Sequence, residues 1–95
     1  MAYYVYMLAS RPGGALYLGS TNDLRRRLEQ HRARAVPGHT AKYRIATLVW
    51  FEEHPTHASA ITRERRMKSW KRAWKDRLIK EHNPDWKDIS AEIPL

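Results

Sequence analysis

The sequence predicts an α+β fold, a small three-stranded antiparallel or mixed sheet flanked by helices, in a single domain covering residues 1–95. Three observations predict it. Two short apolar segments flank a Pro-Gly-Gly turn and read as a hairpin. A third segment, rich in β-branched and aromatic residues, follows only after a stretch with helical periodicity. Helical patterns then fill most of the remaining chain. The resulting order is strand, strand, helix, strand, helix, helix, with the helices laid on the faces of the sheet.

Residues 2–9 (AYYVYMLA) are apolar or aromatic at both parities: Tyr4, Tyr6 and Leu8 on one side, Tyr3, Val5 and Met7 on the other. Such a strand needs cover on both faces and belongs in the middle of a sheet. Residues 11–14 (RPGG) make the turn and residues 15–19 (ALYLG) the returning strand. A four-residue loop sets Leu8 opposite Tyr17 and Tyr6 opposite Gly19. Thr21 or Asn22 caps a helix running to about Arg34, with Leu24, Leu28, His31 and Ala35 inward. Pro37 and Gly38 end it and open a polar loop over residues 39–44. Residues 45–53 (IATLVWFEE) form the third strand, with Trp50 in the core. Pro55 and Thr56 start a helix from His57 to about Lys68. Ser69 caps a last helix to about Glu81, on which Trp70, Trp74 and Leu78 form one stripe that favours the core. Asn83-Pro84 stops that helix, and the tail, with Trp86 and Ile89, packs back as a short turn.

Charge narrows the function. Eighteen Lys and Arg stand against 10 Asp and Glu, a formal charge of +8. That excess favours a polyanionic partner, either nucleic acid or an anionic membrane surface; the plain alternative is solubility alone. A hydrophobic fraction of 42% is too high for a disordered chain. No apolar run reaches the length of a membrane span, and no basic-then-apolar leader opens the chain. With no Cys, disulfides and thiolate metal sites are excluded, which fits a cytoplasmic protein.

In three places polar residues are expected to face inward and ask for a reason. Arg27 and His31 share the narrow arc of their helix that carries Leu24 and Leu28. A guanidinium aimed that way needs an anion or a cleft, and two cationic groups one turn apart suit a phosphate oxygen. Equally, Arg27 could reach a structural carboxylate while His31 packs as a satisfied histidine. Glu64 lies within the stripe of Ala60, Ile61 and Met67. A lone inward carboxylate calls for a metal, a cation or several donors. Mg²⁺ or Mn²⁺ would accept a single carboxylate, keeping water and substrate phosphate as further ligands; the alternative is a buried Glu–Arg pair, with Arg27 a candidate partner. Tyr6 and Tyr17 fall diagonally on one face, and Gly19 leaves room beside Tyr6 for another group to approach. The phenols could orient a water and a phosphate, or simply pack as core aromatics.

These residues resemble the GIY-YIG nuclease family. Tyr4-Val5-Tyr6 stands where the GIY motif would be, and Tyr17-Leu18-Gly19 where YIG would be. Residues 25–31 (RRRLEQH) resemble the family's helix with an Arg one turn before a His, and residues 60–64 (AITRE) the segment carrying its Glu. The 68–75 and 83–86 segments look like a small single-domain bacterial subgroup, similar to the N-terminal domain of the excinuclease incising subunit. The first motif lacks its Gly, and the second has Leu for Ile. The resemblance implies a metal-dependent endonuclease with catalytic Tyr6, Tyr17, Arg27, His31 and Glu64, with Gly19 as a motif residue. Glu64 would hold one Mg²⁺ or Mn²⁺, Arg27 would neutralise the phosphorane-like transition state, and Tyr6, with Tyr17 or His31, would orient or deprotonate water. Products would be a 5′ phosphate and a 3′ hydroxyl. Arg25, Arg26, Arg34, Lys42, Arg63 and Lys68 are the expected nucleic-acid contacts, sequence-neutral and salt-sensitive. A chain of this size leaves little for a separate recognition domain, so structure-selective or weakly specific cutting is expected, and the resemblance favours DNA, in repair or recombination, as the substrate. The rival reading keeps the fold but makes it a non-catalytic nucleic-acid-binding module.

Overall fold

The computed structural model of the chain describes residues 2–33 and 44–94. Arg34, Ala35, Pro37, Gly38, Lys42 and nearly all of the expected polar loop lie outside the described residues. The elements are β1 (Tyr3–Ala9), β2 (Leu16–Thr21), α1 (Leu24–Arg32), β3 (Thr47–His54), α2 (His57–Lys68) and α3 (Arg72–His82), then a 3₁₀ turn at Ser90–Glu92. The strands make one antiparallel sheet in the order β2-β1-β3.

β1 is central because both of its faces are apolar. Tyr4, Tyr6 and Leu8 pack with Leu24 and Leu28 of α1, and with Leu48 and Ile93. Val5, Met7 and Ala9 pack with Ala60 and Met67 of α2, Ile79 of α3 and Trp86. The hairpin register is Leu8 opposite Tyr17 and Tyr6 opposite Gly19, as its loop length requires. The turn closes through Ser10 N–H to the Ala15 carbonyl (3.0 Å) and Gly14 N–H to the Arg11 carbonyl (2.9 Å). Gly13 supplies its left-handed residue at φ 70°.

Two caps differ from expectation. Pairing of β2 with β1 continues to Tyr4 opposite Thr21, so Thr21 belongs to the strand and cannot begin the helix. Asp23 is the α1 cap instead, its carboxylate accepting from the Arg26 N–H at 3.1 Å. Ser69 does not start the last helix. It closes α2, its N–H and hydroxyl both donating to the Arg66 carbonyl (3.2 and 2.8 Å). α3 then restarts after Lys71 with a new phase. Ile79, not Trp74, is its buried residue, and Trp74 is 53% exposed, so the expected core stripe is corrected. Trp70 and Leu78 are partly buried against the core, and Trp50 is buried.

The tail does pack back. Asn83, buried, donates from Nδ2 to the carbonyls of Val49 (3.1 Å) and Lys87 (2.8 Å) and accepts from the Lys87 N–H (3.0 Å). Ile89 N–H reaches the Leu48 carbonyl at 2.9 Å, and Trp86 is buried. Among the described residues no helix is long and apolar enough to cross a membrane.

Candidate active site

The expected site residues fall in two groups on opposite faces of the edge strand β2. Residue parity decides this: Tyr17 and Gly19 pair across from Leu8 and Tyr6, on the α1 face. Ser20 pairs across from Val5, on the α2 face.

On the α1 face, Tyr6, Tyr17 and His31 form an aromatic cluster. The Tyr6 hydroxyl lies 3.2 Å from His31 Nε2, and the Tyr17 and His31 rings are 4.9 Å apart. Tyr6 and His31 are buried, at 1% and 2% exposure, while Tyr17 is half-buried. The room beside Gly19 is taken: a Cβ there would lie 2.9 Å from both the Tyr6 hydroxyl and Tyr17 Cε1. The expected open gap is therefore corrected to a close approach of the two phenols. Burial pushes the Tyr6 phenol far above its ordinary range; Tyr17 adds to this by charge and hydrogen bond, and Arg27 opposes it. Burial, and then Arg27, lower the His31 pKa, so the imidazole is neutral at physiological pH.

On the α2 face, Glu64 is oriented by Ser20. The Ser20 hydroxyl donates to Oε1, and the Lys68 ammonium sits 2.6 Å from Oε2. The partner of Glu64 is thus Lys68, one turn along its own helix, and not Arg27. Burial alone would raise the carboxyl pKa. The hydrogen bonds from Lys68 and Ser20, with the charges of Lys68 and Arg65, outweigh it and hold Glu64 below the ordinary carboxylate range. The carboxylate keeps 15% side-chain exposure, so it is not sealed away.

Arg27 joins the two groups. It lines a cleft of about 330 Å³ together with Ser20, Thr21, Asn22, Tyr3, His57 and Ala60. Ala60 lies one turn before Glu64 on α2. A second depression of about 380 Å³, lined by Thr21, Asn22, Asp23, Arg26, Arg27 and Gln30, adjoins it across Arg27. Tyr6, Tyr17, His31 and Glu64 are not among the residues that line this cleft; Glu64 meets it through its hydrogen bond from Ser20.

The expected nucleic-acid contacts divide. Arg26 lines the second depression with its side chain exposed. Arg25 donates to the Ile93 carbonyl at 3.0 Å, Arg63 pairs with Glu52 at 3.1 Å, and Lys68 pairs with Glu64. Arg34 and Lys42 are outside the described residues. Ser20, Thr21 and Asn22 also line the cleft, although the sequence marks Thr21 and Asn22 only as capping candidates and Ser20 not at all. Strand alternation alone puts Ser20 opposite in face to Gly19, toward the helix that carries Glu64, and that was the available signal.

A divalent cation fits this donor set in one way only. Among the described residues no group of three His, Asp or Glu could form a cage. Glu64 offers one ionised carboxylate, already attractive to a cation through Lys68. Hard ions such as Mg²⁺ tolerate a single carboxylate when water and substrate phosphate complete the shell.

Comparison with known proteins is consistent with this geometry. The GIY-YIG catalytic domain family matches residues 2–80. A UPF0213 protein of Bacillus pumilus is 37% identical over 79 residues, covering 83% of this chain and 80% of that protein. A UPF0213 protein of Streptococcus sanguinis is 39% identical over 82 residues, covering 82% of this chain and 88% of its own. The solution NMR structure of a UPF0213 protein from Bacillus halodurans superposes with a TM-score of 0.58 at 26% identity, covering 95% of both chains.

Proposed function

The chain belongs to the GIY-YIG catalytic domain family, a family of nuclease domains, and from that premise we propose that it is a divalent-metal-dependent endonuclease acting on branched or flapped DNA. The observation that carries the proposal is the shared cleft. Arg27 and the Ser20 that orients Glu64 line one opening, and the buried Tyr6–His31 pair packs on the α1 face of the same hairpin.

Each residue has a task its surroundings support. Arg27 neutralises the charge that builds on the phosphate, in a cleft where a guanidinium acts with less competition from water. Ser20 fixes one oxygen of Glu64 and so sets the direction of the other. Glu64, ionised, would hold Mg²⁺ or Mn²⁺, which supplies a Lewis acid for the scissile phosphate. Substrate phosphates would draw Lys68 off Glu64; its side chain is 56% exposed on a long stem and can swing to them.

The phenols manage the proton. Tyr6 does not stand as a phenolate at neutral pH, because burial holds its proton in place. The proton of the attacking water passes to the Tyr17 oxygen as the phenol protons shift from Tyr17 to Tyr6 and from Tyr6 to Nε2 of His31, which, as the Nδ1–H tautomer, takes up the one proton released. Tyr17, half-buried, is the phenol nearer to solvent and orients the water. Cleavage leaves a 5′ phosphate and a 3′ hydroxyl. A DNA substrate of this kind points to a cytoplasmic role in repair or recombination.

The test is incubation of the purified chain with linear, flapped and branched DNA and RNA, with Mg²⁺, with Mn²⁺ and with chelator. The expected outcome is cleavage near the flap or branch, abolished by chelator. Binding without product under every metal condition would identify a non-catalytic nucleic-acid module on the same fold.

A further inference from the structure

Trp74 is the large hydrophobic side chain that the fold leaves exposed among the described residues, at 53%. It does not stand alone. Trp70 packs edge-on against it, with ring centroids 6.2 Å apart at 73°. The Arg63 guanidinium lies 5.2 Å from the Trp70 ring centroid, a cation–π contact that steadies the pair. Beside the two indoles is a depression of about 390 Å³, completed by Arg77, Leu78 and Glu81.

The surroundings select an occupant. Residues 68–82 carry six Lys and Arg against Asp76 and Glu81, the latter in the lining of the depression. A flat apolar ring within a field of that sign fits a group with an aromatic face and a negative backbone. A base inside a duplex already has both faces covered by its neighbours, so only an unpaired base can lie on the indole. Position agrees. Trp70 follows Glu64 by six residues, one helical turn and a short non-helical step, so their Cα atoms are at most about 14 Å apart. α3 is also anchored toward the hairpin by the Arg72 guanidinium on the Gly14 carbonyl.

We propose that Trp74, supported by Trp70, is a stacking platform for an unpaired base of the nucleic-acid substrate, toward the turn end of the hairpin, while the Arg27 cleft lies at its open end. This rests on the nuclease reading and adds to it: the platform gives the enzyme a preference for DNA with single-stranded character.

Fluorescence anisotropy in chelator, with a labelled single strand, a flapped duplex and a blunt duplex, tests it. The expected result for Trp74→Ala is about tenfold weaker binding of the single strand and the flap, with the blunt duplex unchanged. Trp74→Phe should keep most of the affinity. Thermal melts check that both variants fold, as expected for an exposed position. Equal affinity of wild type and Trp74→Ala for the single strand overturns the platform and leaves the nuclease reading standing. No binding of any nucleic acid by the wild type overturns both. A dimer in sedimentation that Trp74→Ala dissolves, or poly-glutamate binding that it alone removes, would assign the patch to a protein interface and overturn the proposal.

Discussion

Gly19 shows how much one hydrogen in place of a methyl can decide. Its Cα faces the Tyr6 hydroxyl and the Tyr17 ring so closely that a Cβ would sit 2.9 Å from each. The reason for glycine here is space and not backbone freedom, since its φ is not among the positive ones. Gly19→Ala must move at least one phenol and disturb the Tyr6–His31 contact. Overpacking of this kind costs about 1–3 kcal/mol. The variant should melt at least ~4 °C below wild type in a thermal scan. An unchanged Tm would mean that the cluster is looser than its distances indicate. From sequence, Tyr6, Tyr17, Gly19 and His31 were legible as neighbours, because loop length fixes register and helical spacing fixes a face. What could not be read was that the phenols would close the gap themselves, since ring orientation depends on packing from α1.

At the scale of elements, the ends were harder to read than the middles. α2 runs from His57 to Lys68 as expected, with the Thr56 side chain accepting from the Ser59 N–H at 3.1 Å. At α1, the run Thr21-Asn22-Asp23 offers three capping residues, and strand pairing with β1 made the choice. At α3 the break between Lys68 and Arg72 resets the helical phase, and Trp74 faces out where an unbroken stripe predicts it inward. What locks α3 to the sheet is its C-cap. Asn83 bridges Val49 on β3 to Lys87 in the tail through three hydrogen bonds, and no apolar residue can replace them. Asn83→Ala strands these backbone groups, a loss of about 2–4 kcal/mol. Urea unfolding should show a lower midpoint with an unchanged slope. A midpoint equal to wild type would mean that water replaces the amide freely and that the tail is not tied down there.

For the whole molecule, the sheet edge is the organising feature. A strand buried on both faces forces β1 to the centre and leaves β2 at the edge, where consecutive residues Gly19 and Ser20 serve opposite faces. The phenols and His31 thereby approach from the α1 side and Glu64 from the α2 side, while Arg27 and Ser20 line the cleft between. The fold class and strand order follow from hydrophobic parity, and so were visible in the sequence. The bond from Ser20 to Glu64 spans 44 residues and two elements, which no local pattern encodes. Glu64 is the most exacting residue in this arrangement, since it is the ionised carboxylate through which a divalent ion would enter. Glu64→Gln keeps the shape and the Ser20 bond but removes the charge. The direct measurement is the rate of cleavage of flapped DNA in Mn²⁺ by wild type and Glu64→Gln, with the affinity of each for the same DNA in chelator. The predicted result is a loss of turnover of about a hundredfold or more with affinity within about twofold. Turnover by Glu64→Gln at the wild-type rate would contradict the account.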